Sequence, residues 1–176
     1  MKSVLKLFTV LSFAYLAACS VDGGSGSGLG GLNGGLGSKP DAIKDQPVQG
    51  GINSVAWLSN KAVGRIQTDG SLLVSISGNG EVIDCNYTTP LKPGLLFSIP
   101  MVVGEYDFDM LRPDQGFAIT WAYKLNNEYN NIVSDMNHIS VTSVTYSRLQ
   151  GGLSAKFLDP SNSGLMNGKF EVTICR

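Results

Sequence analysis

The segment "GEYDFDMLRPDQG", residues 104–116, gathers four carboxylates in a short space. Glu105, Asp107 and Asp109 alternate, so an extended backbone puts them on one face and Tyr106, Phe108 and Met110 on the other. Asp114 follows after a proline turn. Two chemistries fit such a set. Two carboxyls about 5–10 Å apart, with Asp135 as a further candidate, can do acid–base work on a glycosidic bond. Several carboxylate oxygens can also hold Ca²⁺ outside a cell, although this spacing is not that of an EF-hand loop. The third reading is a strand whose acidic face is simply solvated, with Arg112 nearby as a partner.

The chain has one histidine, His138, in the polar context "DMNH". One histidine cannot build a His-rich metal site. A Ser-His-Asp triad would have to be assembled entirely in space, because no G-x-S-x-G elbow is present. His138 therefore reads as a solvated residue, and neither a resident metal nor a cofactor is expected. A different set lies in "YKLNNEYNN". Tyr123, Asn126, Asn127, Tyr129, Asn130 and Asn131 combine ring surface with amide hydrogen-bonding pairs, as sugar-binding and protein-binding loops do. Asn is also frequent in loops because it accepts left-handed backbone geometry, with no ligand involved.

Three cysteines complete the reactive side chains. Cys19 stands at a sharp junction, "FAYLAACSVDGGSGSG". Before it come Lys2 and Lys6, an apolar run from Leu7 to Tyr15, and the small-residue approach Leu16-Ala17-Ala18. That is the plan of a secretory signal over residues 1–18, too short to span a bilayer as a helix. "LAAC" resembles the lipobox of bacterial lipoproteins. The resemblance implies a diacylglycerol on the Cys19 thiol, cleavage before Cys19 by signal peptidase II, and acylation of the new amine. Two or three acyl chains anchor stably where one is marginal, at roughly 0.8 kcal/mol per buried CH₂. Ser20 next to the cysteine resembles the default export to the outer membrane, with the membrane face left open. With Cys19 modified, Cys85 and Cys175 remain, and an even pair in an exported chain points to a disulfide.

Behind the anchor, residues 23–37 hold nine Gly, three Leu, two Ser and one Asn. Such a stretch cannot bury enough apolar surface to order itself. From Ser20 to Asn53 a flexible chain reaches about 30 Å. Residues 19–49 therefore read as lipidated cysteine plus tether, and 50–176 as one domain. The chain carries 13 Lys and Arg against 14 Asp and Glu. Losing Lys2 and Lys6 with the signal leaves 11 against 14, a net charge of −3. Without a basic patch, nucleic acid is not an expected partner.

The elements that would position these residues are strands. "FAITWAYKL" (117–125) alternates Phe117, Ile119, Trp121, Tyr123 and Leu125 against Ala118, Thr120, Ala122 and Lys124. "SLLVSIS" (71–77) and "KFEVTIC" (169–175) alternate likewise, with Cys175 on an outer face or an edge. "NSVAWL" and "AVGRI" suggest an opening pair joined at Ser59-Asn60, and "HISVTSVTYSRL" and "LSAKFL" two later strands. "TDGS", "SGNGE", "LKPG", "QGG" and "MNGK" read as turns, since Asp-Gly, Asn-Gly and Gly-Gly supply positive φ. Residues 126–137 read as the one long polar connection. Nine or ten short strands predict an all-β antiparallel sandwich, with a closed β-barrel as the alternative.

The order of lipobox, linker, Trp-containing hairpin, "GSLLVSISG", "VGEYDF" and "LSAKF…NGKFEV" also resembles uncharacterised β-domains on lipoproteins of Bacteroidetes and related bacteria. That likeness implies fold and topology and no activity. The functional expectation is a lipid-anchored outer-membrane protein whose non-enzymatic β domain binds an envelope protein or glycan. A carboxylate-based glycan hydrolase and a purely structural lipoprotein are the alternatives.

Overall fold

The computed structural model describes residues 41–52, 55–86, 88, 93–111, 116–125, 128–158 and 163–176, all within one compact unit, Leu36–Arg176. The signal, Cys19 and the tether up to residue 40 lie outside the described residues, as do Arg112, Asp114, Asn126 and Asn127.

The described chain is all β. Its strands are β1 (Gln49–Ile52), β2 (Val55–Ile66), β3 (Ser71–Gly78), β4 (Gly94–Pro100), β5 (Gly104–Asp109), β6 (Thr120–Leu125), β7 (Glu128–Val133), β8 (Met136–Val144), β9 (Arg148–Phe157) and β10 (Gly164–Cys175). They form one ten-stranded sheet in the order β5-β8-β9-β10-β1-β2-β3-β4-β6-β7, which is not closed into a barrel. All neighbours run antiparallel except β10 and β2. The short β1 separates their first halves, pairing Gly51 with both Leu165 and Ala56. Past its end they pair directly and in parallel, from Val172↔Ala62 to Cys175↔Arg65.

The sheet folds over so that its two halves face each other, because alternating apolar side chains must find a partner face. Leu72, Val74 and Ile76 of β3, and Leu95, Phe97 and Ile99 of β4, share one core with Leu149, Leu153, Phe157 and Val172 of the other half. Ring contacts cross the interface. Phe97 meets Phe170 edge-on at 5.7 Å, and Tyr106 meets Phe117 at 6.1 Å. Trp57 meets Trp121 at 5.5 Å, and its indole N–H donates to the Pro93 carbonyl at 2.7 Å. Trp121 and Ile119 are buried as the alternation of 117–125 requires, Phe117 and Tyr123 are half-buried, and the strand itself starts at Thr120.

Cys85 and Cys175 are bonded, with Cα atoms 5.2 Å apart. Cys175 is on the outer side of its strand, as expected, but it is neither at an edge nor exposed. Residues 79–86 fold back over the outer face of β2 and β3, and Ile83, Val63 and Cys175 make a second small apolar cluster there. The Ser77 hydroxyl donates to Glu81 O at 2.8 Å, and the Asn60 amide donates to the same carbonyl at 2.6 Å.

Several expected boundaries move. Residues 55–66 are one strand, and a register shift between Ser59 and Lys61 absorbs the break read at Ser59-Asn60. "HISVTSVTYSRL" is divided by a turn at Thr145–Ser147, closed by a bond from Arg148 N to the Thr145 hydroxyl at 3.0 Å. "QGG" and "MNGK" lie inside β9 and β10 rather than between strands. Their glycines serve close approach of other groups, the alternative meaning of Gly in a strand. The long polar connection is mostly β7 and the start of β8, because Glu128–Val133 pairs with β6 through Tyr123↔Asn130 and Trp121↔Ile132. Finally, residues 41–48, read as tether, lie on the sheet: Val48 is fully buried, and Pro47 bridges Lys169 in parallel.

Candidate functional site

The half-sheet β5-β8-β9-β10 turns its outer face to solvent, and alternation loads that face with polar side chains. Register places Glu105 opposite Ser140 and Asp107 opposite His138. On the next rungs, His138 faces Ser154 and Ser154 faces Asn167. Gln150 faces Glu171, and Gly152 faces Lys169.

His138 is the centre of the acidic end. Its Nδ1 lies 2.7 Å from Asp107 Oδ1 and its Nε2 lies 3.1 Å from Glu105 Oε2. The other Glu105 oxygen accepts from the Ser140 hydroxyl at 2.8 Å. So His138 is not simply a solvated residue. It is a cross-strand partner for two carboxylates, and cross-strand pairing is the unit of sheet stabilisation. The signal for this was present in the alternation of both segments, but a sequence does not give the β5–β8 register.

The carboxylates divide accordingly. Glu105 and Asp107 are brought together and turned to one imidazole, with side chains 62 % and 75 % exposed, so they sit on an open surface and not in a deep cleft. Asp109 Oδ1 accepts from Leu111 N at 2.9 Å. Asp135 is not with them; its Oδ2 accepts from the Leu158 amide N–H. Among the described residues no group of three acidic, His or Cys side chains is placed to hold a metal ion. The Asn/Tyr set is dispersed as well. Tyr123 packs against the core, Asn130 is half-buried, Asn131 is exposed, and Tyr129 is placed by its backbone in β7 opposite Lys124.

Sequence reasoning missed the segment that crosses this face. Residues 41–47 form a strap over β9 and β10. The Asn167 carboxamide reads its backbone: Oδ1 accepts from Lys44 N at 2.8 Å and Nδ2 donates to Ala42 O at 3.0 Å. Further along, Lys169 N donates to Gln46 O at 2.7 Å and Val48 N donates to Lys169 O at 3.1 Å. Ion pairs tie the strap down at both ends, Asp41 to Lys156 at 3.0 Å and Asp45 to Lys169 at 2.8 Å. The Lys169 ammonium holds the Asp45 carboxyl below its ordinary value of 3.8, first by hydrogen bonding and then by charge.

Two glycines make room. A Cβ on Gly152 would meet Ile43 Cγ2 at 2.6 Å, and one on Gly168 would meet Pro47 O at 2.5 Å. Gly168 also has φ of +145°, which side chains with a Cβ rarely adopt.

Beside the strap runs an open groove of about 780 Å³, lined by Gln46 and Asp45 on one side and by Thr142, Gln150 and Glu171 on the other. A smaller hollow of about 440 Å³ continues from it past Ile43 and Ser140 to His138, Glu105 and Asp107. The far end of the groove is a polar row in which Glu171 takes Arg148 at 3.0 Å and Gln150 at 2.7 Å.

Compared with protein-family models, curated proteins and solved structures, the chain matches none.

Proposed function

We propose that this protein is a non-enzymatic binding module, held to a bacterial outer membrane through lipidated Cys19, that docks a partner protein on the outer face of β5-β8-β9-β10. One observation carries the docking reading: an open groove runs beside the strap, and its lining mixes the polar side chains of Thr142, Gln150, Lys169 and Glu171 with the apolar surface of Ile43, Pro47 and Phe170. Concave sites with a few convergent polar groups are where ligands bind by default.

A protein is favoured over a glycan by the groove's chemistry. Sugars are gripped largely by stacking on exposed rings, and the ring on this lining, Phe170, is 8 % exposed. Amides, hydroxyls and both signs of charge along an extended path suit a polypeptide instead. The hydrolase alternative loses its basis here, since Glu105 and Asp107 share one histidine on an open surface. The lipid anchor and the compartment rest on the "LAAC" junction, and the Cys85–Cys175 bond accords with an oxidising location.

The test is capture of envelope proteins by the wild-type domain and by a Gln150→Lys/Glu171→Lys variant. The account expects a discrete partner retained by the wild type and lost with the variant, at unchanged melting temperature. Equal retention by both would remove the groove from the reading.

A further inference from the structure

We propose that the channel beneath the strap is a peptide-binding site whose resident, residues 41–47, is exchangeable. The peptide class it takes has two carboxylates four residues apart with a β-branched apolar residue midway. This rests on the reading of the face as a partner surface, and it names the partner's chemistry.

The host side is built for a backbone. Asn167 is 2 % exposed and presents its whole carboxamide to the strap, accepting from the N–H of residue 44 and donating to the C=O of residue 42. Those two groups flank residue 43 on the same edge of an extended chain, so the side-chain amide stands in for the peptide group of a neighbouring strand. Recognition of this kind is indifferent to side chains, as in strand-addition complexes. Gly168 and Gly152 let the guest backbone and the Ile43 side chain come close.

The side chains of 41, 43 and 45 supply the selectivity. The strap turns at Asp45, where Gln46 N donates to Lys44 O at 3.0 Å, so these three side chains are placed by their own contacts. Asp41 meets Lys156, Ile43 covers Gly152, and Asp45 meets Lys169. Two cations with a side-chain-free notch between them select an acid, an apolar residue and an acid at every second position.

The guest side is lightly held. Asp41, Ala42, Lys44 and Asp45 are exposed and Ile43 is half-buried, while Asn167, Ser154 and both glycines beneath are buried. The Asp45–Lys169 pair is exposed on both sides, and exposed ion pairs contribute little net stability. Host groups are therefore fixed by the sheet, and guest groups have solvent as a ready alternative.

The experiment uses a fluorescent peptide with the sequence of residues 40–48, titrated into the full chain. One arm is wild type, and a second carries Asp41→Asn, Ile43→Ser and Asp45→Asn, which weakens the resident and leaves the host intact. The expected result is saturable binding, at least tenfold tighter to the weakened-resident chain. Adding Lys156→Ala and Lys169→Ala to that chain should weaken it tenfold or more, and so should a peptide with both Asp replaced by Asn. Lys169 is exposed and Lys156 is half-buried, so Lys169→Ala alone, with the melting temperature measured beside it, separates loss of the site from loss of the fold. Hydrogen exchange at the Lys44 amide should be much faster than at Val172. An absence of saturable binding to the weakened-resident chain would overturn the proposal, as would a Lys44 amide as slow as the core. Retention of an envelope partner by the wild type alongside that failure would leave the groove reading standing and reject the peptide class alone.

Discussion

Asn167 makes its contacts to residues 42, 44 and 154, and each would be lost or left unpaired on truncation. Asn167→Ala should cost about 1–3 kcal/mol, the usual penalty for buried polar groups that lose a partner, read from denaturant unfolding. Trp121 tests the core in the same way. It is 4 % exposed and edge-on to Trp57, so Trp121→Ala should cost roughly 3–5 kcal/mol. A melting temperature unchanged by that substitution would mean that the inner face has been assigned wrongly. Asp45 gives the pH dependence. Its pKa is depressed in the folded chain, so its contribution is fully present above the ordinary value of 3.8 and is lost as pH falls through the lower folded value. An NMR titration of the Asp45 carboxyl should give a midpoint below 3.8 that returns toward 3.8 in Lys169→Met. The carboxyl is exposed and solvent-screened, so the strap should loosen in acid without the domain unfolding.

The disulfide acts on elements. It ties the 79–86 excursion to the last strand across 90 residues of sequence, and on the chain-entropy model a loop of that length contributes roughly 4–5 kcal/mol. Reducing agent should lower the melting temperature of the wild type and leave a Cys85→Ala/Cys175→Ala variant unaffected. An equal shift in both would show that the reagent acts elsewhere. The same scale shows what a sequence can and cannot reveal. Alternation placed Leu72, Val74, Ile76, Phe170, Val172 and Ile174 inward, because side-chain period two is a local property. The pair Cys85–Cys175 was legible from the even number left beside Cys19 and from the export expected of the signal segment. The glycines misled, since Gly151-Gly152 and Asn167-Gly168 look like turns and in fact admit the Phe170 ring and the strap. A sequence gives no sign of which backbone passes over a given glycine. His138 was read as solvated for the same reason: its two carboxylate partners are set by strand register, which is a non-local fact. The strap was hidden by composition, because Asp41 to Pro47 is polar and follows directly on the Gly-rich stretch.

At the scale of the molecule, the strap connects an expected membrane tether to the face proposed to dock a partner, so anchor and binding surface meet at residues 41–48. Lipidation is tested by Cys19→Ser, which should abolish labelling by a fatty-acid analogue and leave the precursor uncut by signal peptidase II. Continued labelling of that variant would remove the anchor from the account. The docking claim itself is tested most directly by a photo-crosslinking residue placed singly at Gln150 in the groove, or at Lys61 as an exposed control on β2, in cells of the source organism. The account predicts a discrete crosslinked protein from position 150, none from position 61, and its loss when Glu171→Lys is added. No adduct from 150, or the same adduct from both positions, would contradict it.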